Sequence, residues 1–454
     1  MRTASILVLL SLLCACGGTP ATCTLGSAEG CTDGLVCEAF PGGEARCTQP
    51  VYLEGLVFDA LDTSAIEGAR IVARDANGGA RSPVAFSDAA GLYSLRVAIA
   101  RDAEGRPEAE AVTLRADAAD YASFPQPPRE ALPIDLGAAT LDEARGRWVI
   151  DNAATDVALL PLEGPSGSTI EGVVMHADAG GVLVVAEQGG VAVSTSITDT
   201  DGTFVLYNVP AGSTLVAGYR AGLAVTPQTV DAVPAGVQGV ALSATDSGLA
   251  TVTGRVTIVN APGGLTTSVI LVVASTFDDA VARGEAPAGL RVAGVTGDFS
   301  IANVPPGRYA VLAAFENDQL VRDPDLNIAG TQIVFVDVAG ADVPIATDFK
   351  ITEALAVIGP GANGLEVVTS APTLRWAQDS SEEGYELRVY DAFGTVVHEN
   401  TNIPEPGGSA PVEYSLSAVS LQPGMIYQFR AWSFARGSRL SATEDLRGVF
   451  QYQP

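Results

Sequence analysis

Apolar and polar residues alternate in short runs along most of the chain, and these runs are rich in valine, isoleucine, leucine and tyrosine. Residues 373–376 and 385–390 are clear examples, because every second side chain in each of them is apolar. This two-residue period predicts a β-strand with one buried and one exposed face. Glycine, proline, aspartate and asparagine separate the runs at intervals of about ten residues, and helical periodicity is nearly absent. The pattern therefore predicts an all-β chain of tandem antiparallel β-sandwiches.

Two short patterns recur three times along the chain, which indicates an internal repeat. The first is an apolar residue, a polar residue, glycine, any residue and valine, and it occurs at residues 53–57, 170–174 and 252–256. The second is a turn that ends in glycine with an aromatic residue two positions later, and it occurs at residues 87–93, 198–204 and 295–299. We expect this glycine to adopt a positive φ and the aromatic ring to enter the interface between two sheets.

A third pattern, Asn-Val-Pro-x-Gly, follows the aromatic strand in two of the three copies, at residues 208–212 and 303–307. Its proline and glycine predict a corner that turns the chain into the next strand. The first copy lacks this corner and has a charged segment, residues 101–110, in its place. A further region, residues 125–148, is added after that segment. We therefore expect the first copy to be elaborated or irregular.

Together these patterns resemble the carboxypeptidase regulatory-like family, whose members are transthyretin-type β-sandwiches. The resemblance implies copies at residues 51–162, 167–246 and 248–350. The second and third copies match the pattern well, whereas the first departs from it at the missing corner. Domains of this family take their name from their position after a zinc peptidase, so peptidase chemistry has to be sought in this chain.

Residues 355–454 follow a different pattern, in which two alternating strands precede the run Leu421-Gln422-Pro423-Gly424 and Tyr427. This arrangement is similar to a fibronectin type III domain. The resemblance implies that Trp376 packs in the core rather than stacking on a ligand. It also implies that the hydroxyl group of Tyr427 forms a hydrogen bond with the upstream backbone, as in a tyrosine corner.

The N-terminus has the organisation of an export signal, with Arg2 followed by a largely apolar run at residues 6–13. The sequence Leu13-Cys14-Ala15-Cys16-Gly17 resembles the lipobox of bacterial lipoproteins. The resemblance implies that residues 1–15 are a signal peptide. It also implies that Cys16 becomes the acylated first residue of an exported, membrane-anchored protein.

Two alternatives to lipidation at Cys16 remain open, namely acylation at Cys14 and an ordinary secretory peptide that leaves Cys16 as a thiol. Each buried acyl methylene group contributes about 0.8 kcal/mol, so a triacylated cysteine would hold the protein on a membrane essentially permanently. Gly17 stands where aspartate commonly marks retention in the inner membrane. The sequence therefore favours the outer membrane and leaves open which of its faces carries the protein.

Four further cysteines, Cys23, Cys31, Cys37 and Cys47, lie within the short segment 16–50. An even number of cysteines in a glycine-rich segment of an exported protein predicts two disulfide bonds, for which three connectivities are possible. A zinc site is the alternative, but the segment has no Cys-x-x-Cys pair and no histidine. We expect a cross-linked stalk that raises the sandwiches above the membrane, or alternatively a small binding knot.

The chain of 454 residues has a formal net charge of −28. Such an acidic surface repels phosphate groups, and no basic cluster interrupts it, so we expect no nucleic-acid partner. Lys350 is the only lysine. The covalent Lys–Asn cross-links of adhesin sandwiches need one lysine in each domain, so this chain cannot form them throughout.

Residues that could perform catalysis are not arranged in a recognisable motif. A zinc peptidase needs two histidines and a glutamate around the metal, but His176 and His398 fall in different predicted sandwiches. No Gly-x-Ser-x-Gly or Gly-x-x-x-x-Gly-Lys motif occurs. The run Asp199-Thr200-Asp201-Gly202 could present oxygen atoms to calcium, although a plain turn also explains it. We therefore expect no enzymatic activity, no metal and no cofactor.

These observations predict a lipoprotein of the cell envelope that acts as a non-enzymatic modular scaffold or as a binding or adhesion protein. Its lipid anchor would contact the membrane, and its ligand would be a protein or a glycan. A carbohydrate-binding accessory protein is the alternative, which a row of exposed aromatic side chains on one sheet face would favour. We expect each sandwich to close its own core, with linkers near residues 164–165 and 359–361 spacing an extended rod.

Overall fold

The structure is a computed structural model, and it describes residues 23–32, 34–75, 78–126, 129–164, 167–279, 282–315, 317–322, 333–379 and 382–454. The predicted signal peptide and the lipidation residue Cys16 lie outside the described residues. The described part of the chain forms 37 β-strands, two short 3₁₀ turns (Leu136–Ala138 and Ala274–Thr276) and no α-helix. The predicted all-β fold is therefore confirmed. No helix in these ranges is long and apolar enough to cross a membrane.

The cysteine-rich segment forms one hairpin that is held by two disulfide bonds. Strand β1 (Val36–Phe40) pairs antiparallel with strand β2 (Glu44–Thr48). The disulfides join Cys23 to Cys37 and Cys31 to Cys47, one of the three connectivities that the sequence left open. Each disulfide ties the irregular chain before the hairpin to one of its strands. The segment therefore keeps a defined shape without a large core.

The first sandwich contains nine strands in two sheets. They are β3 (Val51–Asp59), β4 (Arg70–Arg74), β5 (Ala85–Phe86), β6 (Leu92–Val97), β7 (Ala111–Asp117), β8 (Ile134–Asp135), β9 (Thr140–Asp142), β10 (Arg147–Ile150) and β11 (Val157–Leu159). One sheet has the order β11-β3-β10-β9, with β6 also paired to β3, and the other has the order β5-β4-β7-β8. Leu53, Ile71 and Leu114 are among the buried residues that fill the space between the sheets.

The second sandwich contains eight strands in one continuous sheet. They are β12 (Ser168–Met175), β13 (Leu183–Gln188), β14 (Val191–Ile197), β15 (Thr203–Val209), β16 (Gly212–Arg220), β17 (Leu223–Val225), β18 (Gln228–Ala232) and β19 (Val237–Thr245). The order is β14-β13-β16-β17-β19-β12-β15, with β18 also paired to β16. The short strand β17 thus joins the two halves of the sandwich around a core that includes Ile170, Val184 and Phe204.

Among its described residues, the third sandwich contains nine strands in two sheets. They are β20 (Ala250–Val259), β21 (Thr267–Val273), β22 (Arg291–Val295), β23 (Asp298–Val304), β24 (Gly307–Ala313), β25 (Leu320–Arg322), β26 (Val334–Val338), β27 (Val343–Pro344) and β28 (Phe349–Glu353). One sheet has the order β23-β20-β28-β25, with β27 also paired to β20, and the other has the order β22-β21-β24-β26.

These three sandwiches share one topology. In each, the opening strand (β3, β12 or β20) pairs antiparallel with the strand that follows the glycine turn (β6, β15 or β23). The same opening strand pairs parallel with the last strands of its sandwich (β10 and β11, β19, or β27 and β28). The repeated sequence patterns therefore mark equivalent positions in one repeated fold.

The repeated glycine and the repeated aromatic residue lie opposite each other on paired strands. The pairs are Gly55 with Tyr93, Gly172 with Phe204, and Gly254 with Phe299. All three rings are buried, as predicted. A Cβ atom on Gly172 would lie 2.5 Å from the Phe204 ring and 2.3 Å from the carbonyl oxygen of Val240. The glycine is therefore required because its neighbours occupy the space of a side chain.

The glycine turns agree with the sequence prediction in two of the three copies. Gly91 and Gly202 have φ values of 76° and 83°. Gly297 does not have a positive φ, so the prediction for this residue is wrong. The reason is the length of the turn, because only residues 296–297 separate β22 from β23, whereas five residues separate β14 from β15.

The fourth sandwich contains nine strands in two sheets. They are β29 (Val357–Gly359), β30 (Glu366–Val368), β31 (Thr373–Trp376), β32 (Gly384–Asp391), β33 (Val396–Pro404), β34 (Val412–Ser415), β35 (Ile426–Ala435), β36 (Ser438–Ala442) and β37 (Val449–Tyr452). The orders are β29-β31-β34 and β30-β37-β35-β32-β33, with β36 also paired to β35. The predicted linker at residues 359–361 is wrong, because Gly359 ends β29 and Gly361 accepts a hydrogen bond from Gly448 within this sandwich.

Two contacts expected in the fourth sandwich are present. Trp376 is fully buried and packs against Tyr385 and Phe429, with ring centroids 5.8 Å and 6.1 Å away. The backbone N–H of Gln422 donates a hydrogen bond of 2.7 Å to the Tyr427 hydroxyl oxygen. This is the local hydrogen bond that the sequence predicted for a tyrosine corner.

The second and third sandwiches share one hydrophobic core. Side chains of β13 and β16 pack into the third sandwich, namely Leu183, Val185, Ala217 and Tyr219. The ring of Tyr219 meets that of Tyr309 edge to face, with 6.0 Å between their centroids. Alternate residues of β13 face the core of the second sandwich instead, so this strand is buried on both faces. The second sandwich therefore has a core of its own and also supplies side chains to the core of the third, so the prediction that each sandwich closes its own core is wrong for the third sandwich.

Candidate functional site at the junctions of the sandwiches

Residues 274–279 and 282–290, which lie between β21 and β22 and which we name the central loop, contact the other three sandwiches. The Ser275 hydroxyl donates to Glu187 in the second sandwich at 2.6 Å, and the Ala288 carbonyl accepts from the Ala221 N–H at 2.9 Å. The same loop forms ion pairs with the first and fourth sandwiches. The central loop is therefore the place where all four sandwiches meet.

Arg115 occupies the centre of this junction and is fully buried. Its guanidinium group donates two hydrogen bonds of 2.8 Å to the carboxylate of Asp117 on the same strand. It also donates to Glu285 of the central loop at 2.6 Å. Two further bonds, of 3.0 Å and 2.8 Å, reach the carbonyl and hydroxyl oxygens of Thr195 in the second sandwich. One side chain thus joins the first three sandwiches.

The charges in this junction hold one another ionised. Burial opposes the charge of Glu285, but Arg115 and Arg74 outweigh it and hold the pKa of Glu285 below its usual value. Burial also opposes the charge of Arg115, whose pKa is nevertheless raised by Asp117 and Glu285. Burial lowers the pKa of Arg74, which lies 3.4 Å from Glu285. We call Arg74, Arg115, Asp117, Glu285 and Thr195 the arginine junction.

Two arginines of the first sandwich also cover the open edge of β14. Arg70 donates to the Ser196 hydroxyl at 2.7 Å and to the Ile197 carbonyl at 3.4 Å. Arg115 donates a hydrogen bond to the carbonyl oxygen of Thr195 on the same strand. Edge strands with free carbonyl groups invite pairing with other chains, so these contacts protect the second sandwich from such association.

The fourth sandwich is attached through two more arginines. Arg283 of the central loop forms an ion pair with Asp445, and its Nε atom lies 3.3 Å from Glu130 of the first sandwich. Arg129 of the first sandwich donates to the Ala392 carbonyl at 2.9 Å, and burial lowers the pKa of Arg129 to about 10. The fourth sandwich therefore touches both the first and the third.

The cysteine-rich segment is fixed to the first sandwich by a buried ion pair between Glu38 and Arg101. The backbone N–H of Arg101 also donates to Ala39 at 2.8 Å, and its side chain donates to the Gln49 carbonyl at 2.6 Å. Burial raises the pKa of Glu38, and the charge of Arg101 only partly offsets this effect. The segment, which was predicted to be a cross-linked stalk or a small binding knot, is therefore packed against the first sandwich.

A cleft of about 430 Å³ opens where the cysteine-rich segment meets the first and second sandwiches. Small residues such as Gly26, Ala80 and Gly181 line it, so the backbone is exposed there. Arg96 points its guanidinium group at the Gly26 carbonyl, at 3.4 Å, and forms no ion pair with the described residues. Thr200 adds a hydroxyl group to the wall. None of the described residues that line the cleft is aromatic.

The predicted disulfide residues lie beside this cleft. The sulfur atoms of Cys23, Cys31 and Cys47 lie within 4.8 Å of one another, which would suit a metal if they were thiolates. All three are disulfide-bonded in the structure, so they have no lone thiolate to offer a metal.

The residues considered for catalysis and for calcium have structural contacts. His176 of the second sandwich forms a hydrogen bond of 2.9 Å with Asp246, and His398 of the fourth forms one of 2.8 Å with the hydroxyl group of Tyr414. The side chain of Asp201 accepts hydrogen bonds from the N–H and hydroxyl groups of Thr203 at 2.9 Å and 2.6 Å. The carboxylates of the turn at residues 199–202 thus accept hydrogen bonds from the turn and its next residue and, through Asp199, from the N–H of Val84 in the first sandwich.

The outer face of the fourth sandwich carries three arginines around one indole ring. The guanidinium carbons of Arg388, Arg430 and Arg439 lie 5.9, 5.6 and 4.4 Å from the Trp432 ring centroid. Such distances give favourable cation–π contacts. Arg439 is held in place by a hydrogen bond of 2.6 Å to Glu386. A sugar ring would have to displace these groups to stack on Trp432.

No protein-family model matches this sequence, and no curated protein matches it. Among solved structures, the Bacillus anthracis TIE protein is 10% identical, with 86% of this chain and 68% of that chain covered and a TM-score of 0.15. BcpA, the major pilin subunit of Bacillus cereus, is 10% identical over 67% of this chain and 100% of its own, with a TM-score of 0.18. A streptococcal ancillary pilin is 12% identical over 67% of this chain and 99% of its own, also with a TM-score of 0.18. TM-scores this low carry no argument, and the fold assignment rests on the strands and sheets of this chain.

Proposed function

We propose that this chain is a non-enzymatic scaffold of the bacterial cell envelope that presents a rigid binding surface to a protein partner. Its mature form begins at Cys16, which is acylated and anchors it to the outer membrane. We assign residues 51–162, 167–246 and 248–350 to the carboxypeptidase regulatory-like type of sandwich. We assign residues 355–454 to the fibronectin type III-like type.

The arginine junction is the observation that carries this proposal. Desolvating several charges is costly, and a buried ionic cluster forms only where its geometry satisfies most of the donors and acceptors. Arg115 meets that condition with oxygen atoms from three sandwiches. A chain of loosely linked modules has no need for such a cluster, whereas a scaffold that must keep one fixed shape does.

The cleft beside the cysteine-rich segment is the binding surface that we propose. Its exposed backbone and the side chain of Arg96 suit an extended peptide that carries a carboxylate group. The absence of aromatic rings among its described lining residues favours a peptide over a glycan, since sugars bind largely by stacking on such rings. The indole of Trp432 also favours a peptide over a glycan, because three arginines surround its ring.

The anchor is tested by replacing the acylated residue. In the Cys16→Ser variant, we expect the protein to leave the membrane fraction and to lose the mass of its acyl chains in mass spectrometry. Cys14→Ser is the matched control and should remain acylated. Acylation that persists in Cys16→Ser would contradict the anchor.

The binding surface is tested by photocrosslinking from whole cells. A photoreactive residue placed at Thr200 in the cleft should capture a defined protein, and one placed at the exposed Asp337 should not. The capture should be lost when Arg96→Glu is added, because the arginine would no longer attract a carboxylate. Equal capture from both positions, or capture unaffected by Arg96→Glu, would refute the cleft as the binding surface.

A further inference from the structure

The first three sandwiches each contain one equivalent residue in a left-handed backbone conformation. These residues are Asp120, Gly222 and Gln319, with φ values of 67°, 81° and 72°. Each directly precedes a segment that pairs with the last part of its own sandwich. Tyr121 forms a β-bridge with Pro161, β17 pairs with β19, and β25 pairs with β28. Their positions in the repeated topology are therefore the same.

All three residues donate their backbone N–H to the sandwich that follows in the chain. Asp120 donates to the Oδ1 atom of Asn208 at 2.6 Å. Gly222 donates to the carbonyl oxygen of Asn303 at 2.8 Å. Gln319 donates to the Oε1 atom of Glu444. One type of donor thus serves at three successive junctions, although the acceptor group differs each time.

A left-handed residue explains why this donor is available. The positive φ interrupts the strand, so the N–H group is not taken up by the regular pairing of its own sheet. Asp120 and Gln319 are exposed and Gly222 is half-buried, so each of these hydrogen bonds contributes about 0.5–1.5 kcal/mol. At each junction the next sandwich supplies the acceptor.

The Asn-Val-Pro-x-Gly corner supplies the acceptor in the second and third sandwiches. Asn208 and Asn303 also have left-handed conformations, with φ of 61° and 59°. The side-chain amide of Asn208 donates two further hydrogen bonds, to the carbonyl oxygens of Ala118 and Tyr121 at 3.0 Å and 2.8 Å. Asn303 contributes its main-chain carbonyl instead. The corner therefore has a second task besides reversing the chain.

The first sandwich lacks this corner and has no preceding sandwich to contact. The segment that replaces the corner contains Arg101, which is buried against Glu38 and the Gln49 carbonyl of the cysteine-rich segment. The same place in the fold is thus used for docking in all three copies. The first copy differs from the repeat at this position because it contacts the cysteine-rich segment instead of another sandwich.

We propose that Asp120, Gly222 and Gln319 are docking sockets, each of which receives an oxygen atom of the next sandwich and so fixes its position. The partner of each socket is the following module of the same chain. This inference goes beyond the proposed function and does not depend on the membrane anchor or on the cleft. It assigns to the corner asparagine a role that a simple turn does not have.

The test is amide hydrogen exchange on the full mature chain without its lipid, measured at each socket residue. Asn208→Gly removes three side-chain hydrogen bonds while glycine accepts the left-handed backbone. We expect the protection of the Asp120 amide to fall by about tenfold or more. Asn303→Gly is the matched control, because its acceptor is a main-chain carbonyl, and the protection of Gly222 should change by less than about threefold.

Three further variants keep the test decisive if Asn208→Gly fails to fold. Asn208→Asp retains the Oδ1 acceptor but loses the amide donor to the Ala118 and Tyr121 carbonyls, so the Asp120 amide should be less protected than in the original protein and more protected than in Asn208→Gly. At the last junction, Glu444→Gln retains an acceptor oxygen, and Glu444→Ala does not, so only the alanine variant should expose the Gln319 amide. Equal effects of Asn208→Gly and Asn303→Gly would show that the asparagines act only as turn residues. Unchanged protection of Asp120 in Asn208→Gly would also overturn the proposal.

Discussion

At the scale of single residues, the use of arginine explains why the structure differs from a rod. Arg70, Arg101, Arg115 and Arg129 each bridge two parts of the chain through buried or half-buried hydrogen bonds. The guanidinium group suits such places because it stays charged when buried and presents several donors in one plane. The chain has only one lysine, so nearly all of its positive charge has this geometry.

The sequence predicted only part of this residue-level picture. Buried Trp376, the Tyr427 hydrogen bond and the three interface aromatics were predicted, because each belongs to a local pattern. The role of Arg115 was not predicted, because its partners Thr195 and Glu285 lie far away in the sequence. A signal was present, since Arg115 stands among apolar residues in β7, where a charge needs a buried partner.

Glu285→Gln tests the arginine junction. The variant leaves Arg115 and Arg74 without the charge that offsets their burial, so we expect it to lower the free energy of unfolding by about 3 kcal/mol. Chemical denaturation at neutral pH measures this change. Glu143→Gln, at an exposed position, is the control and should have an effect below about 0.5 kcal/mol.

The stabilisation that Glu285 provides should depend on pH. The pKa of Glu285 is depressed in the folded protein, so its stabilising effect is complete above the unfolded pKa of about 4.3 and is lost as pH falls through the folded pKa. The stability difference between the original protein and Glu285→Gln should therefore shrink below about pH 4. A difference that grows on acidification would contradict this assignment.

At the scale of elements, the alternating pattern predicted strands but not what covers their faces. Strand β21 is buried along its whole length, and β13 is buried along most of it. Continuous apolar runs of this kind indicate a strand covered on both sides. The apolar run at residues 182–186 was therefore evidence of contact with another part of the protein, but a short apolar run does not say what lies on its second face. In β21 the second face is covered by residues of its own sandwich, including Phe277 and Ala286.

Glycine substitutions test the pairing of each opening strand with its aromatic partner. Gly172→Ala places a methyl group within 2.5 Å of Phe204 and 2.3 Å of a backbone oxygen, so it should destabilise the protein by about 3 kcal/mol or more. Gly297→Ala is the control, because it has open space and no positive φ. Thermal denaturation should show a lower melting temperature for Gly172→Ala alone. A similar loss in both variants would contradict this explanation.

At the scale of the whole molecule, the predicted all-β fold of successive sandwiches agrees with the structure, but the predicted rod does not. The sequence shows where a module starts, because strands and turns follow local patterns. It does not show that Leu183 and Tyr219 enter the core of the third sandwich or that the central loop reaches the other three. Such contacts depend on the mutual placement of surfaces that are distant in the sequence.

Isolated fragments of the chain test whether the second and third sandwiches depend on a shared core. A fragment of residues 167–246 keeps its own core around Val184 but would expose Leu183, Val185 and Tyr219 to water, so we expect it to aggregate. The fragment 355–454 has its own core around Trp376 and should fold alone. Dispersion of amide signals in NMR spectra distinguishes these outcomes. A monomeric, well-dispersed second sandwich would argue against the shared core.

Differential scanning calorimetry of the mature chain tests most directly whether the first three sandwiches form one cooperative body. Unfolding enthalpy is about 0.7 kcal/mol per residue, so the three together should give one transition that carries about three quarters of the total enthalpy. The fourth sandwich should give the remainder, within that transition or in a separate one. Four separate transitions of similar enthalpy would show that the sandwiches are independent modules and would contradict the account.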